Sequence, residues 1–333
     1  MSATTSSSGT ASDCAPVSLP HMQKLLRGWN GKKQPPMPRI LNVGSLNIDH
    51  VYRVPHVVRP GETLSSLSYQ RFAGGKGFNQ SIALARAGAN VSHAGRIGSD
   101  GVWLRDLLAE AGAAVTHLQV VDAPTGHAII TVTPDGQNSI VLYGGANQTV
   151  APEDARRVIA SFRAGDYLLL QNEISALPSI MRMACEHGMR IVFNPAPMDA
   201  QVLLYPLETV SCLLLNEIEG AQLAGTEKPQ AILEALRRRF SEMTVILTLG
   251  PEGVLASEGG PAVHVPALQV KVVDTTAAGD TFTGYYLAER LRGAAFADAL
   301  RTACAAAAIC VTRAGAADSI PTRAEVEAKL QGG

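Results

Sequence analysis

The chain has 333 residues, with 28 lysines and arginines against 29 aspartates and glutamates, a formal net charge of −1. At about 150 residues per domain this length allows two domains or one large α/β unit, and the near-neutral balance excludes a protein whose main work is neutralising nucleic-acid phosphates or acidic lipid. An apolar fraction of 46% with 17% charged residues excludes a disordered chain, and 5% aromatics mean an aliphatic core.

Residues 1–36 read as a Ser/Thr-rich tail whose only acid is Asp13. It is expected to be disordered, with an organelle transit peptide as the alternative and a short helix possible over His21–Trp29. From Arg39 the pattern changes. Ile40–Leu46 reads as a buried strand entering a turn. Helices are expected over Lys76–Ala87 and Val102–Ala111, each stopped by a glycine, and over Pro152–Phe162, where proline suits the first turn. Strands over Tyr167–Leu170, Arg190–Phe193, Cys212–Leu215 and Thr244–Leu249 then alternate with helices over Ala176–Glu186, Ile218–Ala224 and Pro229–Phe240. Two Ala-rich helices, Gly279–Arg290 and Phe296–Arg313, close the chain. This alternation predicts a doubly wound, mostly parallel sheet covered on both faces. The five cysteines form no CxxC pair, so reduced thiols in a cytoplasmic protein are expected. No apolar run approaches the length of a membrane span, and the start has no secretory-signal pattern.

Leu64–Phe72, Gly126–Thr133 and Asn138–Tyr143 break the rhythm by alternating apolar and polar residues. Pro134-Asp-Gly-Gln137 is a hairpin turn between the last two. They predict a small β-lid, formed from about 48–72 and 126–145, on a single domain spanning 37–333. An exposed lid face suits closure over a site or pairing with a second copy.

Three segments carry chemistry. In Val273-Asp-Thr-Thr-Ala-Ala-Gly-Asp-Thr-Phe-Thr-Gly284, the small residues Ala277, Ala278 and Gly279 lead into a helix, so backbone N–H groups converge where the helix dipole favours an anion. Asp280 follows in the first turn, placed to accept a proton during phosphoryl transfer or, alternatively, to cap the helix. In Phe72-Ala-Gly-Gly-Lys-Gly-Phe-Asn-Gln80, three glycines allow close backbone approach to a ligand, and Lys76 and Asn79 add polar contacts. It is not a Walker A loop, since no Ser or Thr follows Lys76. Gly44-Ser-Leu-Asn-Ile-Asp49 ends the first strand, where ligands of open α/β sheets sit, and Asn47 with Asp49 suits vicinal sugar hydroxyls or an Asx turn. No GxGxxG follows that strand, which argues against a dinucleotide oxidoreductase.

Together these segments resemble the PfkB/ribokinase family of carbohydrate kinases, over roughly residues 39–322. The resemblance implies ATP-dependent phosphorylation of the primary hydroxyl of a furanose, D-ribose to D-ribose 5-phosphate first. Nucleosides such as adenosine, other sugars or ketoses, and a non-catalytic sugar-binding regulator are the alternatives. It implies Asp280 as general base and Ala277, Ala278 and Gly279 as anion hole. It implies Asn47, Asp49, Gly75, Lys76, Asn79 and Glu173 around the sugar. It implies Asn216 and Glu219 near the Mg²⁺-bound phosphates, and Thr248, Gly250 and Gly253 in the nucleotide turn. It implies that Asp274, Thr276, Cys310, Arg313, Gly315 and Ser319 hold a monovalent cation (K⁺), largely through backbone carbonyls. Small-molecule sugar and ATP are the implied ligands, with no nucleic acid or membrane partner, and a homodimer through the lid is expected. Three positions depart from the family pattern: Phe78 replaces a small residue, His127 an apolar lid residue, and Tyr143-Gly-Gly145 a His-containing stretch.

Overall fold

The computed structural model describes residues 37–332. The expected tail, its short helix and Cys14 lie outside the described residues. The main sheet has nine strands: β1 (Ile40–Val43), β4 (Val91–Ile97), β5 (Ala114–Val120), β8 (Tyr167–Gln171), β9 (Arg190–Asn194), β10 (Val210–Asn216), β11 (Thr244–Thr248), β12 (Val254–Ser257) and β13 (Val263–Val265). Their spatial order is β13-β12-β11-β10-β9-β8-β1-β4-β5. All pairings are parallel except those of β12 with β11 and β13. The predicted doubly wound, mostly parallel sheet is therefore present.

Successive strand residues face opposite layers, as a two-residue period requires. Tyr167 and Leu169 join one core with α1 (Lys76–Arg86), α2 (Val102–Glu110), α7 (Ala278–Leu291) and α8 (Phe296–Cys310). Leu168 and Leu170 join the other core with α3 (Pro152–Ile159), α4 (Leu177–Glu186), α5 (Glu217–Ala224) and α6 (Pro229–Arg239). Each fully buried leucine contributes about 1.5–3 kcal/mol of transfer free energy, so these aliphatic layers fix the strands from which the site hangs. A last helix, α9 (Arg323–Gln331), adds Val326 to the first core.

The second sheet is four-stranded, in the order β3-β2-β6-β7, from β2 (Asn47–Arg53), β3 (Ser68–Gly74), β6 (Gly126–Val132) and β7 (Asn138–Tyr143). All six residues of β7 are exposed. Its hairpin with β6 follows the expected turn. β3 begins at Ser68, later than Leu64, because residues 54–67 run irregularly. Strands β4, β5, β12 and β13 were not anticipated. β4 and β5 carry polar residues such as His93, Arg96, His117 and Gln119 that break an apolar run.

Candidate active site

The winding of the main sheet reverses at β1, with β4 and β5 to one side and β8 to β11 on the other. A crevice opens at the carboxyl ends of strands at such a switch point. β1 delivers Ser45 and Asn47 there, and β8 delivers Glu173. α1 and α7 start beside it. Gly284 lets these two helices touch: a Cβ there would lie 2.4 Å from the Ala83 Cβ and 2.8 Å from the Ala83 carbonyl carbon.

That contact sets Asp280. The residue is 6% exposed in the first turn of α7. Asn79 Nδ2 donates to its Oδ2 at 3.2 Å, and Gln80 Nε2 donates to its Oδ1 at 2.8 Å. One donor per carboxylate oxygen fixes the plane of the group and leaves lone pairs toward the crevice. The residue before the helix, Ala277, has φ 60°, a left-handed backbone at a non-glycine position that costs about 1–2 kcal/mol. This turn aims the N–H groups of Gly279 and Asp280, which have no intrahelical acceptor at a helix start. The Ala278 N–H instead donates to the Thr275 carbonyl at 3.2 Å, so the run expected over Ala277–Gly279 loses Ala278, and the free helix-start amides begin at Gly279.

On one side of Asp280, Glu173 accepts the Lys76 backbone N–H at 2.9 Å and the Ser45 hydroxyl. Burial pushes the Glu173 carboxyl up, against the opposing pull of Ser45 and Lys76. Burial would lower the Lys76 ammonium, but Asp280, Glu173 and Glu219 together raise it and keep it charged. Asn147 Nδ2 donates to Asn47 Oδ1 at 2.8 Å, and its Oδ1 accepts the Leu46 N–H at 3.1 Å. Asn147 is thus a site residue that carried no role in the sequence reading. Asp49 lies on β2, its carboxylate packed where a Cβ on Gly74 would collide with it. Gly75 turns the chain into α1 with φ 91°.

On the other side, strand register places Asn216 beside Thr248 at the ends of β10 and β11. Asn216 caps α5: its Oδ1 accepts the Glu219 N–H at 2.9 Å, while its own N–H and Nδ2 donate to the Glu219 carboxylate at 2.9 and 3.1 Å. Burial pushes Glu219 up, countered by the Asn216 bond and Lys76. Gly250 and Gly253 bound the turn after β11 with φ 54° and 96°. Elsewhere, Asp274 accepts from Thr276 N and Oγ1 at 2.9 and 2.7 Å and from Gly315 N at 3.0 Å. Burial opposes ionisation of Asp274, but these bonds outweigh it and hold the carboxyl low. Cys310 Sγ lies 3.1 Å from Ser319 Oγ, so this loop is one connected unit. The Arg313 guanidinium leaves it and pairs with Glu325 at 2.5 Å.

One departure from the family pattern is resolved by packing. Phe78 is fully buried in the α1-side core and has no face free for a ligand. His127 belongs to a ring cluster on the second sheet, 5.7 Å from His50 and 5.1 Å from Tyr143, and Tyr143 is exposed.

An open, mostly parallel α/β sheet with helices, a separate small β-sheet and polar residues gathered at its switch point is the ribokinase-like class of fold. Residues 37–323 match the family described as pfkB family carbohydrate kinase. A ribokinase from Haemophilus influenzae is 40% identical over 293 residues, covering 85% of this chain and 95% of its own. The structure of a ribokinase from Cryptococcus neoformans in complex with ADP superposes with a TM-score of 0.78 at 37% identity, covering 88% of this chain and all of the other. That of an Arabidopsis thaliana ribokinase complexed with ribose and ATP gives 0.78 at 30% identity, covering 89% and 99%. The chain belongs to the pfkB family of carbohydrate kinases.

Proposed function

We propose that the protein transfers the γ-phosphoryl group of ATP to the primary hydroxyl of a furanose, with D-ribose as substrate and D-ribose 5-phosphate as product. The observation that carries this reading is the buried Asp280 carboxylate, fixed by Asn79 and Gln80 beside the amides of a helix start. The naming of the relatives as ribokinases, and the ribose and ATP bound in the Arabidopsis neighbour, support it. Phosphoryl transfer asks little covalent chemistry of a protein beyond positioning and charge stabilisation. Asp280 takes the proton of the attacking hydroxyl as its oxygen bonds to the γ-phosphorus and the bond to the β,γ-bridging oxygen breaks, leaving ADP. The Gly279 and Asp280 amides and the Lys76 ammonium steady the charge on the moving group. Asn47, Asp49 and Glu173 hold the sugar hydroxyls, and Asn147 orients Asn47. Thr248, Gly250 and Gly253 seat the nucleotide.

The described residues contain no cluster of three or more His, Cys, Asp or Glu side chains fit to cage a metal. This suits Mg²⁺, which keeps waters and takes one or two carboxylates plus substrate phosphates. Glu219, oriented by Asn216, is the carboxylate in place, and the ion would neutralise phosphate charge there. The Asp274 loop, tied to Gly315 and to Cys310–Ser319, fits a monovalent cation held by carbonyls. Equal activity in K⁺ and in cation-free buffer would remove that assignment. The four-stranded sheet acts as lid and dimer face. No described helix is long and apolar enough to cross a membrane.

A phosphorylation panel with ribose, adenosine, fructose and 2-keto-3-deoxygluconate tests the reading. Ribose is expected to give the highest kcat/KM. Preference for adenosine would favour a nucleoside kinase, and no ATP turnover with any sugar would make the protein a sugar-binding regulator.

A further inference from the structure

Behind Asp280 lies a run of buried amide side chains. Gln80, Asn42 and Gln171 are each at most 1% exposed, a costly placement, and all their amide groups are paired except Gln171 Oε1, which has no hydrogen-bond partner. Asn42 sits in the middle of β1, between the apolar neighbours Leu41 and Val43, and turns toward α1. Its Nδ2 donates to the Gly77 carbonyl and to Ser81 Oγ, both at 2.8 Å. A backbone carbonyl only accepts, so the amide is fixed and its Oδ1 is left to accept. It does so from Gln171 Nε2 at 3.1 Å, which also donates to Gln80 Oε1 at 2.7 Å. Gln80 Nε2 is thereby turned toward Asp280 Oδ1 at 2.8 Å and Asn194 Oδ1 at 3.2 Å. Asn194 is fixed in the same way, because its Nδ2 donates to the Leu214 carbonyl at 2.9 Å. The far end continues from Ser81 Oγ to His93 Nδ1 at 2.8 Å, and burial pulls that imidazole down to about 4, so it adds no charge.

We propose that Gln171 and Gln80 form a one-directional amide relay, anchored on the Gly77 and Leu214 carbonyls, that aims the Asp280 carboxylate at the substrate hydroxyl. Both are positioning residues. Gln171 touches neither Asp280 nor the crevice chemistry and acts by deciding which end of the Gln80 amide faces the carboxylate. The inference rests on the phosphoryl-transfer reading of Asp280. Reversal of the Gln80 amide would set its oxygen against the carboxylate, replacing an attraction by a repulsion and turning the base.

Gln171→Glu and Gln171→Met separate direction from shape. The near-isosteric Gln171→Glu introduces a group that, once ionised, only accepts, so Gln80 must flip. Protonated, it donates to Gln80 Oε1 and restores the order, and burial raises the pH at which this happens. The measurement is kcat and sugar KM from about pH 6 to 9, a range spanning carboxyls raised by burial. Gln171→Glu is expected to lose about 10-fold or more in kcat at the alkaline end and recover as pH falls, with sugar KM little changed, as expected for a misaimed base. Gln171→Met should lose less and keep the parent pH profile. A parental profile in Gln171→Glu, or equal losses and profiles in the two variants, would overturn the relay. Should Gln171→Glu fail to fold by thermal denaturation, Gln80→Met carries the test. A fall of about 10-fold in kcat at unchanged KM supports the relay, and parental kcat overturns it. Asp280→Asn runs alongside: an active Asp280→Asn defeats the assignment of the base, whereas an inactive one beside an unaltered Gln171→Glu defeats only the relay.

Discussion

Burial, and then the nearby negative Glu173, push the Asp49 carboxyl up to about 7. Sugar hydroxyls donate to an ionised carboxylate, and a protonated one offers them a poorer acceptor. Sugar KM should therefore rise as pH falls from about 8 to about 6, the interval in which a carboxyl near 7 takes up its proton, while kcat falls less. Asp49→Asn should raise KM about 10- to 100-fold, the cost of losing a charged hydrogen bond of about 1.5–3 kcal/mol, and flatten its pH dependence. A parental KM independent of pH would contradict the role. The same shift bears on the sugar-free protein. Its folded state holds the Asp49 proton more tightly than the unfolded chain, so stability contributed by Asp49 fades as pH rises from 3.8 through about 7.

Helix contact is what converts two sequence motifs into one site. Gly284→Ala gains helix propensity of about 1 kcal/mol, but its methyl group would press on Ala83 and part α1 from α7. A net loss of about 1–3 kcal/mol in urea denaturation is expected from such overpacking, together with lower kcat as Asp280 moves off Asn79 and Gln80. Unchanged stability and kcat would show that the contact can yield. The sequence reading placed α1 and α7 to within about a residue because glycines and small residues mark their ends. It also picked out Asp280 and Lys76, whose logic is local, whereas Asn216 and Glu219 came through the family resemblance and not as a helix cap. The partners that hold Asp280 were not legible beyond Asn79. Gln80, Gln171 and Asn147 act across separations of 91 to 200 residues, and a lone Gln or Asn in a helix or strand has no pattern of its own. Strands β4 and β5 escaped for a related reason: His93 Nδ1 and the Arg96 guanidinium find tertiary partners, so their polarity says nothing about exposure. Phe78, whose departure from the family pattern left pocket and packing both open, is a core residue, because its neighbours along α1 rather than its own type decide which way it faces.

In the proposed reaction a molecule with net charge of −1 would handle a polyphosphate through local devices: two helix-start amides, one ammonium ringed by three carboxylates, and the capped helix α5 on the nucleotide side. The lid is the other molecular-scale feature. Ile140, Val141, Leu142 and Tyr143 are 53%, 64%, 57% and 52% exposed along one strand, an apolar edge that calls for cover. A dimer is expected in sedimentation at micromolar concentration, and Val141→Asp should shift it toward monomer; a monomeric parent would remove the dimer. The account as a whole turns on transfer to a sugar hydroxyl with Asp280 as base. The most direct measurement is ATP-dependent formation of ribose 5-phosphate by the parent and by Asp280→Asn, with nucleotide binding followed in both. Removal of a general base lowers rate by about 10²–10⁴-fold, so the account predicts rapid turnover by the parent and a loss of that order in Asp280→Asn at retained ATP affinity. Near-parental turnover by Asp280→Asn would contradict it.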